Sequence, residues 1–333
     1  MKEDEEVPGL LLRILKENRG EFCSGPRLSS LLGVSRTGVW KRIRKLREAG
    51  YEISADSRKG YRLDGVPDFL LASEILPRLD TAWLGRHYHH FQRIDSTNDH
   101  AMEMAVKGAP RGTVVIAEEQ TRGKGRLKRP WASPARRGLY FSAVFRDPLP
   151  LARAPQTALV AALALVKLLS RPPYGVEAGI KWPNDVLAGG RKMAGILTEM
   201  QADQDLVRFL VMGIGVNVNF SADDLAGPMR YPPTSLALEL GHPVDRGELL
   251  ARLLSALETE YERFLDLGFR ELLPELEEHS AIMGRKVLVH CGEERVEGRV
   301  SGLTGEGALR LSMVDGTERA LWVGDVTRVE ETA

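Results

Sequence analysis

Leu11, Ile14 and Leu15 recur at helical spacing, and the run at 18–20, ending in Gly20, stops that helix. A second short helix is predicted over residues 26–32, with Pro26 at a permitted first-turn position and Gly33 making the turn behind it. Ser35 can cap a third helix, in which Val39, Ile43 and Leu46 form one buried stripe and Gly50 closes the end. The period then changes. Residues 51–54 and 61–63 flank a Ser57-Arg58-Lys59-Gly60 turn, the pattern of a β-hairpin. Gly65-Val66-Pro67 reads as a linker. Beyond it, strand patterns at 88–94, 114–118, 139–145, 180–182, 192–199 and 206–219 mix with helical patterns at 70–76, 99–107, 157–169 and 249–265, and Pro274 is expected to end the region. Hairpins dominate and no repeated βαβ order is visible. The prediction is an α+β domain with a mixed, largely antiparallel sheet and helices on one face. Gly189-Gly190 marks a tight turn, which sets Lys181 opposite Thr198. From about residue 280, short alternating strands at 286–290, 295–303, 308–313 and 318–323 with glycine-rich turns fit a small SH3-like β-barrel, read as a structural or docking module. The expected domains are therefore 1–65, 66–275 and 280–333.

Composition narrows the function classes. The 333-residue chain is 43% hydrophobic and 28% charged with a formal net charge of zero, so only local charge can point to nucleic acid, and no membrane partner is expected. Cys23 and Cys291 stand far apart with no CxxC spacing, which argues for a reducing compartment and against structural zinc. The acidic start at residues 1–6 lacks the apolar core of a signal peptide, and no apolar run is taken as long enough to span a bilayer; the location expected is cytoplasmic. Local charge is present in the first domain. The third helix and hairpin tip carry Arg36, Thr37, Lys41, Arg44, Lys45, Arg58 and Lys59. Helix, glycine joint, basic helix and basic wing in that order resemble winged helix-turn-helix DNA-binding domains. In that geometry Arg36 and Thr37 reach base edges, while Lys41, Arg44, Lys45, Arg58 and Lys59 meet phosphates. A trihelical packing domain with a solvated basic face is the competing reading. Trp40 is taken as partly buried packing.

Candidate chemistry lies in the middle. In Lys181-Trp182-Pro183-Asn184-Asp185, Ile180 and Trp182 take one face of an extended chain and Lys181 the other, and Pro183 ends the strand. A cation at a stiff strand end beside an amide and a carboxylate suits a site where negative charge gathers; an ordinary edge-strand lysine before a turn is the alternative. Upstream, the run from Gln120 through Gly123, Lys124, Gly125, Arg126, Lys128 and Arg129 to Trp131 alternates glycines with cations. Such a backbone can approach a phosphate closely, though a nucleic-acid-binding or solvated loop carries the same pattern, and the spacing is not that of a Walker A loop. Ser96 or Thr97 would cap the helix at 99–107 and leave polar groups at a strand-to-helix junction.

Taken in order, Ser96-Thr97-Asn98, Gln120-Thr121, Gly123-Lys124-Gly125-Arg126, Lys181-Trp182-Pro183-Asn184-Asp185, Arg191-Lys192-Met193-Ala194-Gly195-Ile196-Leu197 and the stretch Gly213 to Asn219 resemble the biotin protein ligases. With a winged helix in front and a small barrel behind, the chain is similar to the bifunctional ligases that also repress a biotin operon. Two loop positions depart from the GRGRxGR pattern: Lys124 stands where arginine is usual and Lys128 replaces a glycine, which stiffens the loop. The resemblance implies a central domain like the class II aminoacyl-tRNA synthetases, biotin and ATP as substrates, Mg²⁺, a biotin carboxyl carrier protein (an acetyl-CoA carboxylase subunit) as acceptor, operon DNA, and homodimerisation once adenylate is bound. It implies Lys181 and Arg126 as catalytic groups, with Lys181 bridging carboxylate and α-phosphate. Ser96, Thr97, Asn98, Gln120, Lys124, Gly125 and Arg126 would hold biotin. Gly123, Lys124, Arg129, Trp131, Asn184, Lys192 and Asn217 would line the nucleotide side, with Asp185 as magnesium ligand or as a weak base for the second step. A ligand-responsive DNA-binding regulator without turnover, and a lipoate-type ligase, are the alternatives.

Overall fold

The computed structural model describes residues 3–48, 50–66, 68–225 and 232–329. Pro67 of the expected linker, and residues 1–2 and 330–333 at the ends of the expected first and last domains, lie outside them. The chain divides into two compact units, one up to Phe69 and one from Leu70 onward.

The first unit holds helices α1 (Glu3–Glu17), α2 (Gly25–Leu32) and α3 (Arg36–Glu48) and a hairpin of β1 (Glu52–Asp56) and β2 (Gly60–Gly65). Leu11, Leu15, Leu28, Val39, Ile43 and Leu63 are buried together as its core. Ser24 and Ser35 cap α2 and α3 through their hydroxyls. Gly33 ends α2 with φ 62°, the left-handed turn a glycine makes without steric penalty. Asp56 accepts from the Arg58 and Lys59 amides and so folds the tip of the wing.

The second unit begins with α4 (Ala72–Ile75), β3 (His87–Phe91), α5 (Thr97–Val106), β4 (Thr113–Ala117), β5 (Gly138–Phe145) and α6 (Gln156–Leu169). It continues with β6 (Ala178–Lys181), β7 (Asp185–Ala188), β8 (Arg191–Asp203), β9 (Leu206–Asn217), α7 (Leu236–Leu240), α8 (Arg246–Leu267) and α9 (Leu273–Glu278). Its sheet runs β3-β4-β5-β9-β8-β7-β6, with only β3–β4 parallel. The expected mixed, largely antiparallel sheet is thus present. Helices cover both faces, however, where one face was expected. All five residues of β4 are buried, and alternation sends Val114 and Ile116 to the core under α6 and α8 but Val115 to Ala101 and Ala105 of α5. Pro274 opens α9 at its first turn instead of ending the region. The segment Leu151–Leu169 does reach the length and hydropathy of a membrane span, against expectation, but 67% of it is buried inside the protein, where α6 forms the centre of the core.

One register differs from the sequence reading. Trp182-Pro183-Asn184 makes a turn of its own, so β6 pairs with β7 and Lys181 faces Asp185; Gly189-Gly190 then turns β7 into β8, and Thr198 pairs with Met212. Pro183 was read as the strand end with a turn beginning at Asn184-Asp185, but the short strand β7 was not read, and that shifted the pairing across the next hairpin.

The expected SH3-like barrel is a five-stranded antiparallel sheet of β10 (Lys286–Cys291), β11 (Glu294–Leu303), β12 (Leu309–Ser312), β13 (Glu318–Leu321) and β14 (Asp325–Val329), in the order β13-β12-β11-β10-β14. β14 was not anticipated. Its inner residue Val326 is buried, and Trp182 of the turn between β6 and β7 donates to the Gly307 carbonyl between β11 and β12; residues of both sheets share one core.

Candidate active site and DNA-binding face

Strand alternation builds the floor of the site. Leu210, Met212, Ile214 and Val216 of β9 point into the main core, which turns Gly213, Gly215 and Asn217 to the opposite face. The register sets Gly213 beside Leu197 and Ser142, and Gly215 beside Gly195. With no side chains at three neighbouring positions, the face drops into a slot, and a cavity of about 370 Å³ opens above it.

At one end of the cavity the polar groups are buried and mutually oriented. Ser96 caps α5, so Thr97 and Asn98 start the helix with their side chains inward. Gln120 Oε1 accepts from the Thr97 amide (2.8 Å) and hydroxyl (3.0 Å), and its Nε2 donates to Ser133 Oγ (2.9 Å). Ser142 Oγ donates to Asn98 Oδ1 (2.6 Å), while Asn98 Nδ2 donates to Glu199 Oε2 (2.8 Å). Ser133, Ser142 and Glu199 were not singled out from sequence. They sit on strand or loop positions with no motif around them, and only the register brings them under Asn98 and Gln120.

At the other end cations converge. Lys181, only 1% exposed, lies 2.9 Å from Asp185 Oδ2, and Lys192 lies 2.6 Å from Asp185 Oδ1. Burial pulls the Lys181 ammonium pKa down, and the Asp185 carboxylate opposes that. Burial pushes Asp185 up, but Lys192 and Lys181 outweigh it and hold the carboxyl below its usual range. Arg126 donates to Asn184 Oδ1 (3.2 Å), whose amide nitrogen in turn donates to the Ile196 carbonyl (2.7 Å). Lys124 pairs with Asp99 at 2.5 Å, and Asn217 donates to the Thr234 carbonyl at 2.9 Å. Trp131 lies over the glycine floor, so close that a methyl group on Gly215 would come 2.5 Å from its indole, and Lys192 stands 5.3 Å from the ring centre.

The cavity is thus lined by Ser96, Thr97, Asn98, Gln120, Lys124, Gly125, Arg126, Arg129, Trp131, Lys181, Asn184, Asp185, Lys192 and Asn217 together. Gly123 is not part of the lining. It is buried behind the loop, where a Cβ would meet the Trp131 carbonyl at 2.5 Å. Both Asp185 oxygens are engaged by ammonium groups, Oδ2 by Lys181 and Oδ1 by Lys192. Leu127 and Lys128 both adopt left-handed backbone, φ 56° and 57°, a conformation that costs about 1–2 kcal/mol for a residue with a Cβ.

The small C-terminal sheet, read from sequence as a module without chemistry, reaches this cavity. The Gly324 carbonyl accepts from Arg126 (3.1 Å), Asp325 pairs with Arg129 (2.6 Å), and the Val326 carbonyl lies 3.5 Å from Lys181 Nζ. Nothing in a Gly-Asp dipeptide at the start of a strand signals such a role.

In the first unit, Thr37, Lys41, Arg44 and Lys45 are exposed on the side of α3 away from its buried stripe, Arg36 is exposed at the first turn on the stripe's own row, and Arg58 and Lys59 are exposed on the wing. Trp40 is 49% exposed, with Arg44 lying 5.3 Å over its ring.

Residues 90–217 match the Biotin/lipoate A/B protein ligase family, and residues 10–62 match an HTH domain. The bifunctional ligase/repressor BirA of Bacillus spizizenii is 38% identical over 93% of this chain and 95% of its own length. That of Escherichia coli is 31% identical over 96% of both chains. Among solved structures, a biotin protein ligase from Aquifex aeolicus in complex with biotin and ATP shares 26% identity at a TM-score of 0.62, covering 74% of this chain and 100% of its own. Matched along nearly the full length of such relatives, the chain belongs to the Biotin/lipoate A/B protein ligase family, in its bifunctional ligase/repressor form.

Proposed function

We propose that the cavity joins biotin to ATP and then passes biotin to a lysine of a biotin carboxyl carrier protein. The observation that carries this reading is a single slot with donors and acceptors fixed at one end and a set of cations at the other. The oriented amides and hydroxyls of Ser96, Thr97, Asn98 and Gln120 suit a cyclic urea, which both donates and accepts. A lipoyl ring has neither donor nor acceptor to meet them and would gain nothing from their placement, which disfavours the lipoate reading.

The valerate carboxylate of biotin then points to the cationic end. Its oxygen attacks the α-phosphorus of ATP, pyrophosphate leaves, and biotinyl-5′-AMP remains. Lys181 lies between the two anions, offsets their repulsion and donates to the charge that builds on phosphorus; one such donor contributes roughly 3–4 kcal/mol. Arg126 steadies the carboxylate side, Lys124 and Arg129 gather phosphates, and Trp131 with Lys192 and Asn217 borders the nucleotide. Closure of the loop at 123–131 keeps water from the mixed anhydride. In the second step the neutral amine of the acceptor lysine attacks the acyl carbon and AMP leaves. A sensor without turnover has no use for this group of cations.

Incubation with biotin and α-labelled ATP tests the reading. Wild type should form a biotin-dependent AMP adduct and release pyrophosphate; Lys181→Ala should keep its fold and lose at least a hundredfold in that rate. Near-normal rates in the variant would remove Lys181 from its role. The basic face of α3 and the wing is the operon-DNA contact in this account, with homodimerisation through the central sheet once the adenylate is bound. Sedimentation with and without biotin plus ATP checks the last point.

A further inference from the structure

Asp185 touches two lysines of the cavity at once, and neither a metal nor a base role uses that arrangement. We propose that Asp185 is a positioning residue for adenylation: as the shared counter-ion of Lys181 and Lys192 it keeps both ammonium groups charged and side by side until the two substrate anions replace it. The inference rests on the adenylation reading given above.

Geometry is the main ground. The β6–β7 pairing sets Lys181 directly across from Asp185, and the Gly189-Gly190 turn brings Lys192 back to the other carboxylate oxygen. One oxygen holds each lysine, so the two nitrogens are fixed about a single carboxylate. A buried ammonium without an opposite charge tends to lose its proton, and a neutral Lys181 could not bridge two anions. The other charged groups near Lys181 are Lys192, Arg126, which meets Asn184 and the Gly324 carbonyl, and Asp325 on β14, which is engaged with Arg129. Burial is the largest influence on Lys181; Asp325 also favours the charged ammonium, but by less than Asp185 does, so Asp185 is the main charge that opposes burial. The same grip makes Asp185 a poor proton acceptor, because taking a proton would abandon two cations at once. When the biotin carboxylate and the α-phosphate enter, they supply the opposite charge that the aspartate gave.

With the carboxylate removed, burial and the Lys192 charge act on Lys181 against the weaker pull of Asp325, so the ammonium should deprotonate at lower pH. The alkaline limb of adenylation should then move toward neutrality. The test follows the lysine ¹³Cε resonances of the full, substrate-free chain against pH, with Lys181 assigned by Lys181→Arg, and the pH profile of biotin-dependent ATP–pyrophosphate exchange. In Asp185→Asn both midpoints should fall by about one unit or more. Asp185→Glu should restore them. Lys192→Gln leaves the carboxylate to Lys181 alone and should shift its resonance midpoint the other way, which keeps the test available if Asp185→Asn does not fold. An unmoved Lys181 midpoint in these variants, a loss of exchange by the same factor at every pH, or recovery of Asp185→Asn by added magnesium would overturn the proposal. If wild type shows no exchange at all, the adenylation reading fails, and the resonance titration still judges the counter-ion.

Discussion

A methyl group on Gly213 would sit 2.0 Å from Asn98 Oδ1, inside any allowed contact. Asn98 cannot swing away cheaply, since Ser142 holds its oxygen and Glu199 its nitrogen. Gly213→Ala should therefore leave the sheet paired but push the amide out of place. Overpacking of this kind costs about 1–3 kcal/mol, so biotin affinity measured by calorimetry should drop roughly ten- to hundredfold. Unchanged affinity would show that Asn98 takes no part in binding. At this scale the sequence was informative where a residue type carries its own chemistry: Lys181, Arg126 and Gln120 stand out beside prolines and glycines. It was silent on Ser142 and Glu199, whose importance lies only in which strand position they occupy.

Between elements, the segment leading into β14 meets the cationic loop: Asp325 holds Arg129 and the Gly324 carbonyl holds Arg126. Arg129 is half exposed in this pair, which limits its worth to about 1 kcal/mol. Asp325→Asn should therefore loosen the loop without unfolding it, and speed the decay of enzyme-bound biotinyl-AMP in the absence of acceptor by up to about fivefold. Decay at the wild-type rate would mean that the small sheet does not steady the loop. Local patterns located most elements within a few residues, because α3 carries a regular apolar period and α6, β5 and β9 are long apolar runs bounded by turn residues. They failed at β14 and at the β6–β7 hairpin. β14 follows β13 after only three residues, a gap that the strand read at 318–323 ran into, and the Trp182-Pro183-Asn184 turn lacks the glycine pair that advertises the next one. The side of the sheet that α5 covers was also hidden, since a fully apolar strand such as β4 does not say which face meets which helix.

Across the whole molecule, formal charge cancels, so any binding to DNA depends on where the cations are placed. On α3, Lys41, Arg44 and Lys45 are exposed away from the buried stripe and Arg36 is exposed at the first turn, with Arg58 and Lys59 exposed on the wing. A protein with no net charge gains little from long-range attraction; its salt dependence then counts the phosphates that these side chains neutralise. Each phosphate that a variant leaves without its cation should lower the slope of log affinity against log salt by about 0.9. Arg44 also faces Glu48 at 3.3 Å and Trp40 at 5.3 Å, so part of its charge is already answered within the helix. The double variant Arg44→Ala with Lys45→Ala should weaken operator binding and flatten the slope by between about one and two, nearer two if Arg44 leaves Glu48 for phosphate on binding. The pyrophosphate exchange should not change, since neither residue lines the cavity. Equal slopes for variant and wild type would leave α3 as a packing helix with a solvated basic side, and would move the repressor function off this face.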